Sequence, residues 1–346
     1  VSEIEIAGRK IGENHPPVVI AEIGINHGGS LDLAIEMVDS AIDAGVEIIK
    51  HQTHVIEDEM SEEAKGIVPG NSDKNIHQIM TECALNEEDE FKLFKYVKQK
   101  DLIFMSSPFS REAAKRLERF GIDAIKIGSG ECNNYPLIKF VAKMGMPVVM
   151  STGMNTIETI RPSVEILKNN NIPLALLHCT NVYPTPPELI RLDAITVLKN
   201  EFPDTVVGLS DHSLSNYPCL GAVALGASIL ERHYTDTMNR EGPDICCSMD
   251  PRALKELIEG SKIIHQSKGF GKGPIAEEEK TIAFAFASVV TTREIEAGEV
   301  LTEENLWVRR PGGGDFSVND YDALIGKKAI SKIAKNVQLR KSDVAL

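Results

Sequence analysis

The chain has 346 residues, of which 42% are hydrophobic, with a formal net charge of −14 and a pI near 5.2. That acidic balance disfavours a nucleic-acid or anionic-membrane surface as partner, so an anionic substrate must be met by locally focused Lys and Arg. No apolar run reaches membrane-spanning length, no signal peptide precedes the first expected strand, and the six cysteines are scattered with Cys246 and Cys247 adjacent, a pattern that suits a reducing cytoplasm better than a disulfide framework.

In chain order, Ile4 to Ile11 suits a two-stranded hairpin, and segment 1–17 is expected to cap the N-terminal mouth of the domain that begins at residue 18. Eight apolar runs then lead into small knots of polar residues, at 18–27, 48–54, 102–109, 124–131, 147–153, 174–181, 206–212 and 229–236. Each reads as a buried strand. Between them, apolar residues fall at helical spacing over Leu31–Ala44, Glu90–Lys100, Glu112–Phe120, Ile157–Asn169 and Ala253–Lys268. Strand then helix, eight times over, predicts an α/β fold, a (β/α)8 TIM barrel spanning 18–268, with the polar knots gathered on one face where strands end. An open doubly wound sheet also alternates in this way. It would carry a phosphate loop after its first strand, and Ile25-Asn26-His27-Gly28-Gly29 is not G-x-G-x-x-G.

The Gly- and Lys-rich, then acidic, stretch 269–283 reads as a linker, and its own G-x-G-x-x follows a helix rather than a strand. From 284 to 346 short strands and turns at Ala287–Val290, Glu296–Glu299, Leu306–Val308 and Lys341–Val344 describe a small β-rich domain.

Strand alternation turns Lys50 and Gln52 one way and His51 and Thr53 the other. Lys50 and Lys126, two inward lysines with Ser106, Ser107, Ser129, Ser151 and Ser210 as hydroxyl donors, suit a phosphate and a carboxylate together. Alternatively each lysine pairs with a barrel carboxylate such as Glu22 or Glu131, or one of them forms a Schiff base. His212 and His233 end adjacent strands and are either core histidines or ligands of a weakly held divalent ion such as manganese. Closure of the barrel brings Glu22, Asn26 and His27 near them. Glu22 then either handles the proton of a water or hydroxyl or neutralises a lysine. Asp211 orients its neighbour or faces a helix. The insertion His54–Leu85, carrying Asn71, has the length of a functional lid or a disordered loop. The Pro-rich run 181–187 holds Tyr183, placed to stack on a sugar or simply to stiffen a connector.

E-I-G-I-N-H (22–27), K-H-Q-T-H (50–54), K-I-G-S-G-E (126–131), L-H-C-T-N-V-Y-P-T-P (177–186), G-L-S-D-H (208–212) and E-R-H-Y (231–234) closely resemble the bacterial sialic acid synthase (N-acetylneuraminate synthase) family. The likeness covers nearly the whole chain, since W-V-R-R-P-G (307–312) and G-D-F-S (314–317) resemble that family's antifreeze-like (SAF, β-clip) domain. The resemblance implies metal-dependent condensation of phosphoenolpyruvate with N-acetylmannosamine and water, giving N-acetylneuraminate and phosphate without a Schiff base. It implies a divalent metal on His212 and His233, typically manganese, with magnesium or cobalt as alternatives. Lys50, Ser107, Lys126, Ser129, Ser151, Asn181 and Ser210 would hold phosphoenolpyruvate, with Ser107 standing where the family pattern has threonine. Glu22 would steer the water, and Gln52, Asn71, Glu131, Tyr183 and Asp244 would face the sugar. A homodimer is also implied, in which Arg310 reaches the neighbour's barrel and contacts the N-acetyl group.

Rival readings are a legionaminic or pseudaminic acid synthase using a 2,4-diacetamido-6-deoxyhexose, a Schiff-base lyase, and a non-catalytic carbohydrate-binding protein.

Overall fold

Alternation of apolar and polar residues pairs β1 (Glu3–Ile6) with β2 (Arg9–Gly12) as an antiparallel hairpin, buried through Ile4, Ile6 and Ile11 in the computed structural model. The structure describes residues 2–69, 73–269 and 271–345, and the chain divides after Gly269 into two units.

In the first unit all eight apolar runs are parallel strands: β3 (Val18–Gly24), β4 (Ile48–Thr53), β5 (Ile103–Pro108), β6 (Ala124–Ile127), β7 (Val148–Ser151), β8 (Leu174–Cys179), β9 (Val206–Asp211) and β10 (Ile229–His233). They close on themselves, with β10 pairing both β9 and β3. Closure leaves no exposed edge and demands that both faces of every strand be covered, which is why the runs are apolar throughout. Inward residues such as Ile20, Ile48, Met105, Val149 and Leu177 fill the lower barrel and meet Ile4, Ile6 and Ile11, so the hairpin plugs the N-terminal end. Outward residues pack on helices that include Leu31–Asp43, Glu87–Gln99, Arg111–Phe120, Ile157–Asn169 and Pro251–Ser267. Each fully buried aliphatic side chain stabilises this shell by about 1.5–3 kcal/mol. Ser30, Asn86, Ser110 and Asp250 each cap a helix with a side-chain oxygen that accepts from a first-turn backbone N–H.

The insertion after β4 is more ordered than a bare loop. It holds the turns Ile56–Glu59 and Glu62–Gly66 and the helix Ile76–Cys83, the last started by a reciprocal Asn75/Gln78 capping pair.

In the second unit β11 (Ser288–Thr291) pairs antiparallel with β12 (Leu306–Arg309) around a core of Val289, Ile295, Leu301, Leu306, Phe316 and Leu339. Glu296–Glu299 is a turn and Lys341–Asp343 a single 3₁₀ turn, held by isolated bridges such as Ala329 to Val344 rather than by strands. The stretch expected as linker carries the helix Glu279–Ala285, where Ala283 accepts a backbone hydrogen bond of 3.2 Å from Gly312.

Candidate active site

The C-terminal ends of the barrel strands open into a cavity of about 370 Å³, within the range of small-molecule sites. Lys50, Gln52, Ser107, Lys126, Ser129, Ser151, Asn181, Tyr183, Ser210, His212, His233 and Asp244 all line it. They come from separate strands and loops, and closure of the barrel alone brings them together.

At the floor, Lys50 and Lys126 are buried, and both face Glu231, whose Oε1 lies 3.4 Å and 3.2 Å from their Nζ atoms. Glu22 pairs directly with Lys50 from the neighbouring strand, in register on β3 and β4. Lys126 donates to Ser151 Oγ at 2.8 Å, and Ser210 Oγ donates to Glu231 at 3.2 Å. Burial would raise the Glu231 pKa, but the two ammonium groups override it and hold the carboxyl ionised. Burial draws Lys50 down to about 8, against the opposing pull of Glu231.

Glu231 is absent from the residues singled out in the sequence. It lies two positions before His233 on β10, so strand alternation puts both on the inner face, and that signal sufficed to find it.

The two glycines that shape the floor have no room for a Cβ. At Gly24, with φ +28°, a Cβ would run into the Glu22 and Gln52 side chains, and at Gly153 into Asn181 and Ser129. Gly153 N–H donates to Ser129 Oγ at 3.1 Å.

At the rim, His212 and His233 lie with ring centroids 5.3 Å apart, and Tyr183 packs on His212 at 4.0 Å. The Thr180 carbonyl, 2.9 Å from His212 Nδ1, makes that nitrogen the donor, so in the neutral ring Nε2 carries the lone pair. Burial pulls His212 down, yet Cys179, Thr180 and Asp244 outweigh it and leave its pKa raised. Burial, reinforced by His212 and the lysines, drives His233 well below its ordinary value, so its imidazole is neutral. Asp244 approaches His233 Nδ1 at 3.8 Å, and burial raises the Asp244 carboxyl. Burial likewise raises the Tyr183 phenol.

Buried polar atoms without hydrogen bonds gather here. Ser107 Oγ, His233 Nδ1 and Glu231 Oε2 make none within the chain. Since buried polar groups are normally satisfied, this concentration marks a place built for polar ligands.

The same residues fit a divalent cation. His233 is neutral with an orphaned nitrogen, His212 offers Nε2, and the charges of Lys50, Lys126, Glu22 and Glu231 cancel, so a multiply charged anion needs further positive charge beside them. Among the described residues no group of three or more His, Cys, Asp or Glu is arranged to hold a metal, so substrate or water oxygens would complete the coordination.

Several expected residues lie elsewhere. Asn26 donates to the Tyr234 carbonyl at 2.9 Å and to Ser248 Oγ at 2.8 Å, and His27 stacks on His51 behind β4, so neither faces the cavity. Glu131 lines a separate cleft with Asn134 and Lys139 and accepts from Asn134 at 2.6 Å. The reason is local: after β6 the chain turns as the 3₁₀ segment Ser129–Glu131, so strand alternation no longer directs Glu131 inward. Asp211 turns towards Ser213 and Arg232. Arg310 is exposed in the second unit, and Asn71 lies outside the described residues. The insertion contributes His54, Glu59, Met60, Pro69, Ile76, Ile79 and Met80 to the lining.

The NeuB family pattern matches residues 37–273, and the SAF domain pattern matches 286–345. The chain belongs to the NeuB family. It is 33% identical over 331 residues to an N,N'-diacetyllegionaminic acid synthase of Campylobacter jejuni, covering 93% of this chain and 98% of that one. To a human N-acetylneuraminate-9-phosphate synthase it is 30% identical, over 96% and 94% of the two chains. The crystal structure of an N-acetylneuraminic acid synthetase from Leptospira borgpetersenii superposes with a TM-score of 0.74 at 32% identity, covering 81% of this chain and 95% of that one. This NeuB-family chain is therefore a phosphoenolpyruvate-dependent synthase of nonulosonic acids.

Proposed function

We propose that the protein condenses phosphoenolpyruvate with N-acetylmannosamine and water to give N-acetylneuraminate and phosphate. The observation that carries this reading is the convergence of two buried lysines and two imidazoles on one cavity. Lys50 and Lys126 bind the carboxylate and phosphate of phosphoenolpyruvate, with Ser107, Ser129, Ser151, Asn181 and Ser210 completing the cradle. His212 and His233 hold the divalent ion, manganese by preference, which when bound supplies Lewis-acid polarisation of the sugar aldehyde.

The new bond forms between the enol CH2 carbon and the aldehyde carbon. Water then adds to the former enol carbon, one of its protons passing to the oxygen of the former aldehyde, and as the new hydroxyl gives up its proton to become the ketone the bond from that carbon to the phosphate oxygen breaks and phosphate leaves. Glu22, beside Lys50, takes the first of these protons from the water, and the fixed lysines hold the two substrates in line. Gln52, Asp244 and Tyr183 face the sugar from the rim, with Asn71 as a further sugar-side candidate from the family resemblance.

An unphosphorylated sugar is favoured because Lys50 and Lys126, the lysines among the described lining residues, are committed at the floor, and Glu59 and Asp244 add carboxylates to the same lining. The reading includes a homodimer in which the partner's copy of the SAF domain brings Arg310 to this cavity. The exposed apolar residues Met154 and Leu214 on loops and Tyr217 at the start of a helix, at 71%, 72% and 80% exposure, support an interface there.

One observation favours a second reading. Ile25, Met60, Ile76, Ile79 and Met80 line the same cavity and suit the 6-methyl group of a 2,4-diacetamido-6-deoxyhexose, the substrate of a legionaminic or pseudaminic acid synthase.

The test is phosphate release from phosphoenolpyruvate and manganese with each of N-acetylmannosamine, its 6-phosphate and the diacetamido sugars. Turnover with N-acetylmannosamine at the highest kcat/KM is expected. Turnover with a diacetamido sugar alone establishes the second reading in its place.

A further inference from the structure

Directly behind the cavity floor, on the opposite face of the strands that carry it, runs a chain of buried polar side chains that the proposed condensation does not use. Gly29 N–H donates to His27 Nδ1 at 3.2 Å, and His27 Nε2 lies 3.2 Å from His51 Nε2. His51 Nδ1 lies 3.3 Å from Glu90 Oε1, off the line of an ideal hydrogen bond. Thr53 Oγ1 donates to the same carboxylate and contacts Ser106 Oγ at 2.7 Å, while Arg116 Nη1 donates to Glu90 Oε2 at 2.9 Å. His27, His51, Thr53, Glu90 and Ser106 are all buried.

The contacts order the protons. His27 Nδ1 accepts an amide proton and so bears none of its own, which places the ring proton on Nε2, the nitrogen nearest His51, with the Gly24 backbone as a second acceptor for the ring. His51 Nε2 then accepts, and its own proton sits on Nδ1, facing Glu90. Burial draws His27 down to about 3, so it stays neutral, and the Glu90 carboxyl is held below its ordinary range because hydrogen bonding from His51, Thr53 and Arg116 overcomes its burial.

Such a network is costly where an apolar filling would serve for stability alone. Its placement shows what it accomplishes. Along β4, cavity and network residues alternate as Lys50, His51, Gln52, Thr53, and along β5 Ser106 faces the network while Ser107 faces the cavity. Fixing one face of a strand fixes the other.

We propose that His51 and Glu90 are positioning residues which, through this proton-ordered chain, set the seating of β4 and β5 and so the placement of Lys50, Gln52 and Ser107. The assignment rests on the proposed condensation only in naming phosphoenolpyruvate as the anion that Lys50 and Ser107 receive.

Glu90→Gln keeps the side chain's shape and removes its charge. Phosphoenolpyruvate affinity is read by calorimetry with manganese and without sugar, and ring-nitrogen NMR reads the tautomers in wild type and variant. We expect wild-type His27 to be protonated on Nε2 and His51 on Nδ1. The Glu90→Gln variant should bind phosphoenolpyruvate about tenfold more weakly per folded molecule, since small misplacements of binding groups have large effects. Glu90→Asp should recover part of that loss. A purely structural role would lower the folded fraction and leave affinity unchanged, and that result overturns the proposal. So does His27 protonated on Nδ1 in the wild type, a measurement that needs no variant to fold. Wild-type protein that binds phosphoenolpyruvate but turns over no amino sugar sinks the proposed reaction and leaves the positioning role supported by the affinity difference.

Discussion

Glu231 Oε1 stands 3.2 Å from Lys126 Nζ, and the same oxygen is 3.4 Å from Lys50. This buried carboxylate thus lies between two ammonium groups, and Glu22 pairs with Lys50 beside it. Glu231→Gln removes its charge, and leaving a buried charge without its partner costs about 3–5 kcal/mol. We expect the variant to melt several degrees lower and to be rescued by inorganic phosphate far more than the wild type is. Equal phosphate stabilisation of both proteins, measured by thermal denaturation, would contradict this role.

Lys50, held at about 8 rather than 10.5, should set the alkaline limit of catalysis. Its protonated form binds the anionic substrate, so kcat/KM for phosphoenolpyruvate should fall about tenfold per pH unit above that value. The stability effect has the opposite sense. Between about 8 and 10.5 the unfolded chain carries more protons on this group than the folded one, so its penalty on folding is relieved as pH rises through that window. A pH series for wild type and Lys50→Arg checks the limb, which should move to higher pH in the variant.

His212→Ala and His233→Ala should each lower turnover by more than about 100-fold, the scale of losing one group that stabilises developing charge. Chelation should abolish wild-type activity and added manganese restore it. Manganese binding, monitored by paramagnetic relaxation, should be lost in both variants, and retention in either would remove that histidine from the ligand set.

Gly153→Ala should damage the site more than the fold. The added methyl meets the Asn181 and Ser129 side chains rather than backbone, so the strain of overpacking should stay near about 1–3 kcal/mol. KM for phosphoenolpyruvate should rise about tenfold, because displaced cradle groups bind the anion poorly. Steady-state kinetics beside a melting curve separates the two effects, and an unchanged KM would show that Asn181 and Ser129 do not touch the substrate.

The barrel was legible because covering both faces of a closed parallel sheet requires apolar runs, and the helix after each run has its own period and caps. Alternation along β4 was equally readable and put Lys50 and Gln52 on one face, His51 and Thr53 on the other. The same rule applied to β10 pairs Glu231 with His233, so the signal for Glu231 was present in the sequence. Glu131 and His27 are different. Both lie past the end of a strand, where a 3₁₀ segment or a turn reorients the side chain and period-two reasoning stops.

What the chain's order of residues determined by itself was the set of strands, the faces their side chains take, and a family likeness carried by strings of residues at strand ends. Only the tertiary structure decided which of these groups meet. Barrel closure places Glu231 between lysines from β4 and β6, brings His212 beside His233, and stacks His27 on His51 behind them. Local sequence sets dihedral preferences and burial, whereas the encounter of charges far apart in the chain depends on the register in which eight strands close.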